Sequence, residues 1–155
     1  MNTRKNTHKT DCLTKIILSI LFILALNSCK KNEDSDYLLQ NEWKVKTIYI
    51  DNKSFNTPSK IKALRKDAYI LKFINNAYFA MNTSVNYTDW EYHASEGHIF
   101  IRLQGSTRIA NRIEEERNFD DQLLYTLNKV DRYYCKGNKL FFSADENIKI
   151  VFIKK

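Results

Sequence analysis

The side chains best placed to do chemistry together are His93, Glu96 and His98, which spell His-x-x-Glu-x-His. Two imidazoles and a carboxylate could hold a divalent metal if the backbone brought all three to one point. They fall where the chain must turn between two alternating segments. Turns collect polar side chains for solvation alone, so the first expectation is an exposed hairpin end and a metal site is only a weak second. Cys135 follows Tyr133 and Tyr134 in an aromatic run. A reactive thiol needs a cationic, partly exposed setting, whereas a cysteine among aromatics behaves as a small buried hydrophobe. Arg108, Arg112 and Arg117 surround Glu114, Glu115 and Glu116 at the start of a helical pattern. Acids there offset the helix dipole and need no other purpose. Asp120 and Asp121 are neighbours on the same helix and so diverge, which is poor geometry for acid–base work. There is no glycine-rich phosphate loop, serine elbow or His-Glu-x-x-His run. The reading assigns no catalytic residue and no cofactor.

The strongest chemical signal is Cys29. Residues 1–15 are polar and basic, and Ile16–Leu26 is an apolar run of eleven residues broken only by Ser19. That suits the apolar core of a signal peptide at about 7–15 residues and falls short of the roughly 20 that cross a bilayer as a helix. Leu26-Asn27-Ser28-Cys29 then resembles the lipobox of bacterial lipoproteins. The resemblance implies removal of residues 1–28, a diacylglycerol on the Cys29 sulfur and an acyl group on its new amine. Several acyl chains hold a protein on a membrane where one is marginal. Residues 29–37 carry Lys30, Lys31, Glu33, Asp34 and Asp36 and read as a flexible, acidic tether. The lysine-plus-acid run also looks like the stretches that sort some lipoproteins to the outer membrane surface.

The formal charge of +7 falls partly in the leader, where Arg4, Lys5, Lys9 and Lys15 oppose Asp11, so the remainder is only mildly basic. The stretch Lys60–Lys66 suggests attraction to anionic lipid or lipopolysaccharide more than to nucleic acid, which an exported protein rarely meets. Cys135 is the only cysteine after Cys29. A disulfide within the domain is therefore excluded unless it uses Cys29, and the domain must rely on its core.

Strand patterns dominate residues 38–155. Trp43, Val45, Thr47 and Tyr49 alternate within 43–50. Residues 69–73 and 77–81 read as a hairpin through Ile74-Asn75-Asn76, with asparagine where positive φ is tolerated. Residues 88–94 and 98–103 read as a second hairpin, and 132–136, 139–143 and 148–153 as three closing strands. Between 51 and 68 the chain is polar, with a short surface helix expected to present Ile61, Leu64 and Ala68. Residues 112–130 form the one principal helix, carrying Ile113, Phe119, Leu123, Leu127 and Val130 at three- and four-residue steps. The expected fold is mainly β (α+β): a single antiparallel, barrel-like or strongly curved sheet of about eight strands with that helix packed on it.

The order of these elements resembles the META domain, the HslJ-like family of bacterial envelope proteins. The likeness rests on Leu38-Leu39-Gln40-Asn41-Glu42-Trp43, Val85-Asn86 before Trp90-Glu91-Tyr92, Thr107–Asn111 before Glu114–Glu116, Leu127–Val130, and Gly137-Asn138-Lys139-Leu140. Val85 and Asn111 stand where the family has cysteines. The resemblance implies that these two positions lie close together in the fold. Without the bridge, Ile109 and Ile113 are expected to hold the helix start by packing. The resemblance also implies a non-catalytic envelope role, binding a ligand or partner or supporting stress tolerance. The alternative is a lipocalin-like carrier of a small hydrophobic molecule.

Overall fold

The computed structural model describes residues 37–61 and 65–155. Cys29 and the leader lie outside the described residues, as do Lys62–Leu64 of the basic stretch.

Nine strands form one antiparallel sheet: β1 (Glu42–Ile50), β2 (Lys53–Asn56), β3 (Ile70–Phe73), β4 (Tyr78–Asn82), β5 (Tyr87–Ser95), β6 (His98–Ser106), β7 (Arg132–Lys136), β8 (Lys139–Ser143) and β9 (Ile148–Lys154). The helix α1 (Glu114–Leu127) lies between β6 and β7, and a helical turn at 37–39 precedes β1. The expected mainly-β class with one principal helix is the class observed.

β1 pairs with β9 along one side. On its other side it pairs with β3 through Glu42–Lys44 and with β2 through Thr47–Ile50. The sheet therefore returns on itself as a ring, though not a regular barrel. Its weak seam is between β6 and β7, where one pair, His98 with Arg132, is in register. The Ile99 amide donates to Asp131 O at 2.8 Å and the Tyr133 amide to Gly97 O at 2.8 Å, bracketing that pair.

Trp43, Val45, Phe142, Ile150 and Phe152 alternate into one core, which Phe119, Leu123 and Leu127 of α1 share. The helix thus packs on the inner side, as its stripe requires. The expected alternation through Thr47 and Tyr49 is broken by a bulge between Val45 and Thr47, which turns Ile48 into the core and leaves Tyr49 exposed. Large side chains fill that interior. Trp43, Trp90, Tyr69, Phe79, Phe142 and Phe152 are all fully buried. Phe79 stacks on Trp90 at 5.9 Å, and Phe142 meets Phe152 edge-on at 5.0 Å.

Four local expectations in the connecting segments need correction. First, residues 53–56, taken as part of a polar connection, form β2. Asp51 (φ 48) and Asn52 (φ 64) make a two-residue reversal after Ile50, an arrangement that suits strand twist. Second, the Ile74–Asn76 turn does not use positive φ. Instead, Asn75 Oδ1 accepts the amides of Ala77 at 2.8 Å and Tyr78 at 2.9 Å, so the side chain closes the turn. Third, the expected surface helix does not run through Ala68, because 66–69 is a turn. Arg65 is drawn across to another loop, its amide donating to Ser84 O and its Nε to Val85 O, both at 3.1 Å. Fourth, Tyr37, assigned to the tether, belongs to the helical turn, and its hydroxyl donates to Gly137 O at 2.9 Å.

Candidate functional site

The most specific polar arrangement lies under α1. Its period puts Glu116 and Asp120 on the same face as Phe119 and Leu123, and both acids are buried. Asp120 Oδ1 accepts the Tyr69 hydroxyl at 2.8 Å and the Ser84 amide at 3.2 Å, while Oδ2 accepts the Ser84 hydroxyl at 2.5 Å. Ser84 Oγ in turn accepts Asn111 Nδ2 at 2.6 Å, and that amide also reaches Glu116 Oε2 at 3.2 Å. Asn111 Oδ1 accepts the Ile113 amide at 2.8 Å, just ahead of the first helical turn. Every member of this chain has a partner, as buried polar groups require.

Burial holds the Asp120 carboxyl above the ordinary aspartate range, although the hydrogen bonds from Ser84 and Tyr69 pull it down. Burial likewise pushes the Tyr69 hydroxyl well above its ordinary value, and the nearby Asp120 charge adds to the effect. Tyr69 also has φ 66, a left-handed conformation costly for a bulky side chain. Its amide donates to Asn82 O at 2.6 Å, its carbonyl accepts from the Val45 amide at 2.8 Å, and its ring meets Phe119 edge-on at 4.8 Å. The network ties the start of β3, the β4–β5 turn and α1 together. It holds the helix start where packing by Ile109 and Ile113 was expected: Ile109 is 43% exposed and Ile113 only half-buried.

Asn86 makes a second tie. Its side chain accepts from the Thr107 hydroxyl at 3.0 Å and the Ile109 amide at 2.7 Å, and donates to Ile109 O at 3.0 Å. The segments around Val85 and Asn111 are therefore in contact, through Ser84 on one side and Asn86 on the other. Sequence reasoning dismissed Asp120 as divergent from Asp121, and Asp121 is indeed exposed. The available signal was the four-residue step from Glu116 to Asp120 along the apolar stripe.

The other candidates stay apart. His93, Glu96 and His98 are all exposed at the β5–β6 hairpin, with Glu96 at φ 53 inside its turn. His93 pairs across the strands with Phe100, and His98 with Ser95. Among the described residues, no three His, Cys, Asp or Glu side chains converge on a point suited to a metal. Cys135 is half-buried and packs against the core. Arg108, Arg112 and Arg117 are exposed, as are Glu114 and Glu115. Lys60 and Lys66, of the basic stretch, are exposed too. An open cleft of about 650 Å³ lies at the β8–β9 turn, lined by Asp131, Arg132, Ser143, Ala144, Asp145 and Glu146. Asp145 there is engaged by the amides of Asn147 and Ile148.

A small, ring-like antiparallel sheet with one principal helix packed by one face on its core is the class of this fold. No family model matches the chain, and no curated protein matches it. Its fold is similar to that of a protein from Burkholderia xenovorans solved by NMR, at a TM-score of 0.57 and 14% identity, covering 78% of this chain and 86% of that one. It is also similar to a DUF4847 family protein from Bacteroides vulgatus, at a TM-score of 0.55 and 12% identity, covering 77% of this chain and 96% of that one.

Proposed function

We propose that the chain is a non-catalytic cell-envelope lipoprotein, held on a membrane by lipid on Cys29. In this reading the folded domain binds an envelope partner through its surface and supports the envelope under stress, as the META-like resemblance implies. The outer membrane is the expected location. The observation that carries the address is the run Ile16–Leu26 followed at once by Leu26-Asn27-Ser28-Cys29. The packed interior favours surface binding over the lipocalin-like carrier. A ligand cavity of about 300 Å³ or more would have to displace side chains that already meet, such as Phe73 against Tyr92 at 5.0 Å.

Metabolic labelling with a clickable palmitate analogue tests the anchor. The wild type should take up label and fractionate with membranes. Cys29→Ser should take up none and accumulate as unprocessed precursor or soluble product. Equal labelling of both forms would sink the proposal.

A further inference from the structure

We infer that the outer face of β1, β9, β8 and β7 is a docking surface for an anionic phospholipid bilayer. α1 packs against the inward side chains of these strands. On their outward side Thr47 and Val151 are buried, Phe141 is half-buried, and Tyr134 and the flanking cations are what solvent meets. In pairing register, Tyr134, Phe141, Val151 and Thr47 form one continuous row across the four strands. Tyr134 is 47% exposed and stacks on Phe141 at 4.4 Å. Cations border the row on both sides. Lys136, Lys139 and Lys44 stand toward the β7–β8 turn, and Arg132 and Lys149 stand at the other end. Lys149 lies over the ring of Tyr49, its partner across the pair, at 5.1 Å.

The charge on these strands is one-sided. The outward rows carry Lys44, Lys136, Lys139, Arg132 and Lys149 against Glu42, while Lys154 stands opposite Trp43 on the inward side. Glu42 is already paired with Lys72 and Lys155. Five acids lie on α1 against Arg117, and Asp131, Asp145 and Glu146 line the cleft beside Arg132 at the β8–β9 turn, so the cationic excess is largest toward the β7–β8 turn. A cationic face with tyrosine among its aromatics complements phosphate headgroups in charge, and tyrosine settles at the headgroup level.

The chain's entry point chooses the bilayer as occupant. Tyr37, the first described residue, bonds Gly137 in the β7–β8 turn, and Lys154 lies over its ring at 5.4 Å. The tether therefore reaches the domain at the edge of this face where Lys136 and Lys139 stand. Cys29 is eight residues upstream, a span of at most about 28 Å. This step rests on the lipoprotein reading: an anchor at Cys29 keeps that edge close to the headgroups. It is also distinct from the Lys60–Lys66 stretch, which none of these strands contains.

The described contacts and the core lie within residues 37–155, and Ser35–Lys155 is a compact unit by itself. The chain from Lys30 onward can therefore be tested without lipid. It should sediment with vesicles of phosphatidylethanolamine and phosphatidylglycerol, release as salt rises, and ignore phosphatidylcholine. Charge reversal at three exposed or half-exposed positions, Lys136→Glu, Lys139→Glu and Lys149→Glu, should weaken binding on the order of 100-fold. Tyr134→Ser should weaken it less, and circular dichroism should show all variants folded. Lys60→Glu with Lys66→Glu should bind as the wild type does. Absence of binding to anionic vesicles, an unchanged triple variant, or a preference for an acidic glycan over vesicles would each overturn the proposal. Vesicle binding by a chain whose Cys29 takes no label in cells would overturn the lipoprotein reading and leave the face standing. Label without vesicle binding would do the reverse.

Discussion

Trp43→Ala is expected to leave the domain barely folded. Trp43 is fully buried, and its indole nitrogen donates to Leu38 O at 3.3 Å while its ring meets Tyr37 edge-on at 5.6 Å. Its strand pairs with β3 on one side and β9 on the other, so the vacated volume sits where the ring closes. Truncating a large core aromatic costs about 3–5 kcal/mol, a large share of the roughly 5–15 kcal/mol that holds a domain together. Denaturant titration gives the size directly. Tyr125→Ala provides the contrast, since Tyr125 lies 49% exposed on α1 and should shift the midpoint little. Comparable midpoints for the two variants would overturn the account of the core.

Asp120→Ala is the second large effect. It removes the acceptor of the Tyr69 hydroxyl, the Ser84 hydroxyl and the Ser84 amide together. Buried donors left without partners cost about 1–3 kcal/mol each before relaxation, so a loss of about 2–4 kcal/mol is expected. Tyr69→Phe removes one donor and leaves the carboxylate two others, and should cost less. The network also predicts a pH signature. Burial raises the Asp120 carboxyl in the folded state above its unfolded value, so the folded protein binds that proton more tightly. Its contribution is fully present below the ordinary aspartate range and is lost as pH rises through the raised folded value. Asp120→Asn cannot titrate there. The stability of wild type minus that of Asp120→Asn should therefore fall as pH climbs through that window. A flat difference, or one that grows with pH, would show that burial does not dominate at this carboxyl.

Much of the fold was legible because strand and helix periods are local. Alternation from Trp43 located β1 to within one residue, and the three- and four-residue steps of Phe119, Leu123 and Leu127 found α1. β2 was missed because Lys53, Ser54 and Asn56 are exposed and Phe55 only half-buried, so the edge strand shows no apolar alternation. Its signal was the Asp51-Asn52 pair, two residues that tolerate positive φ. The helix expected to run through Ala68 failed for a non-local reason, since Arg65 and Tyr69 answer to partners at Ser84 and Asn82.

Sequence alone determined the mainly-β class, the positions of the long strands and the inward stripe of α1, but not the bulge after Val45 that turns Ile48 inward and Tyr49 outward. The first three follow from side-chain period, which needs no knowledge of what lies across the fold. Tertiary structure decided what closes the ring, since β1 and β9 meet across about a hundred residues of chain, a contact that no local pattern encodes. It also decided the fate of Asp120. Its neighbour Asp121 has the same chemistry and is solvated, while a turn of the helix and the arrival of Tyr69 and Ser84 bury Asp120. The same holds for Lys136, Lys139 and Lys149. In sequence they are scattered charges between apolar residues, and antiparallel pairing gathers them along one outer face because successive side chains on a strand point to opposite sides.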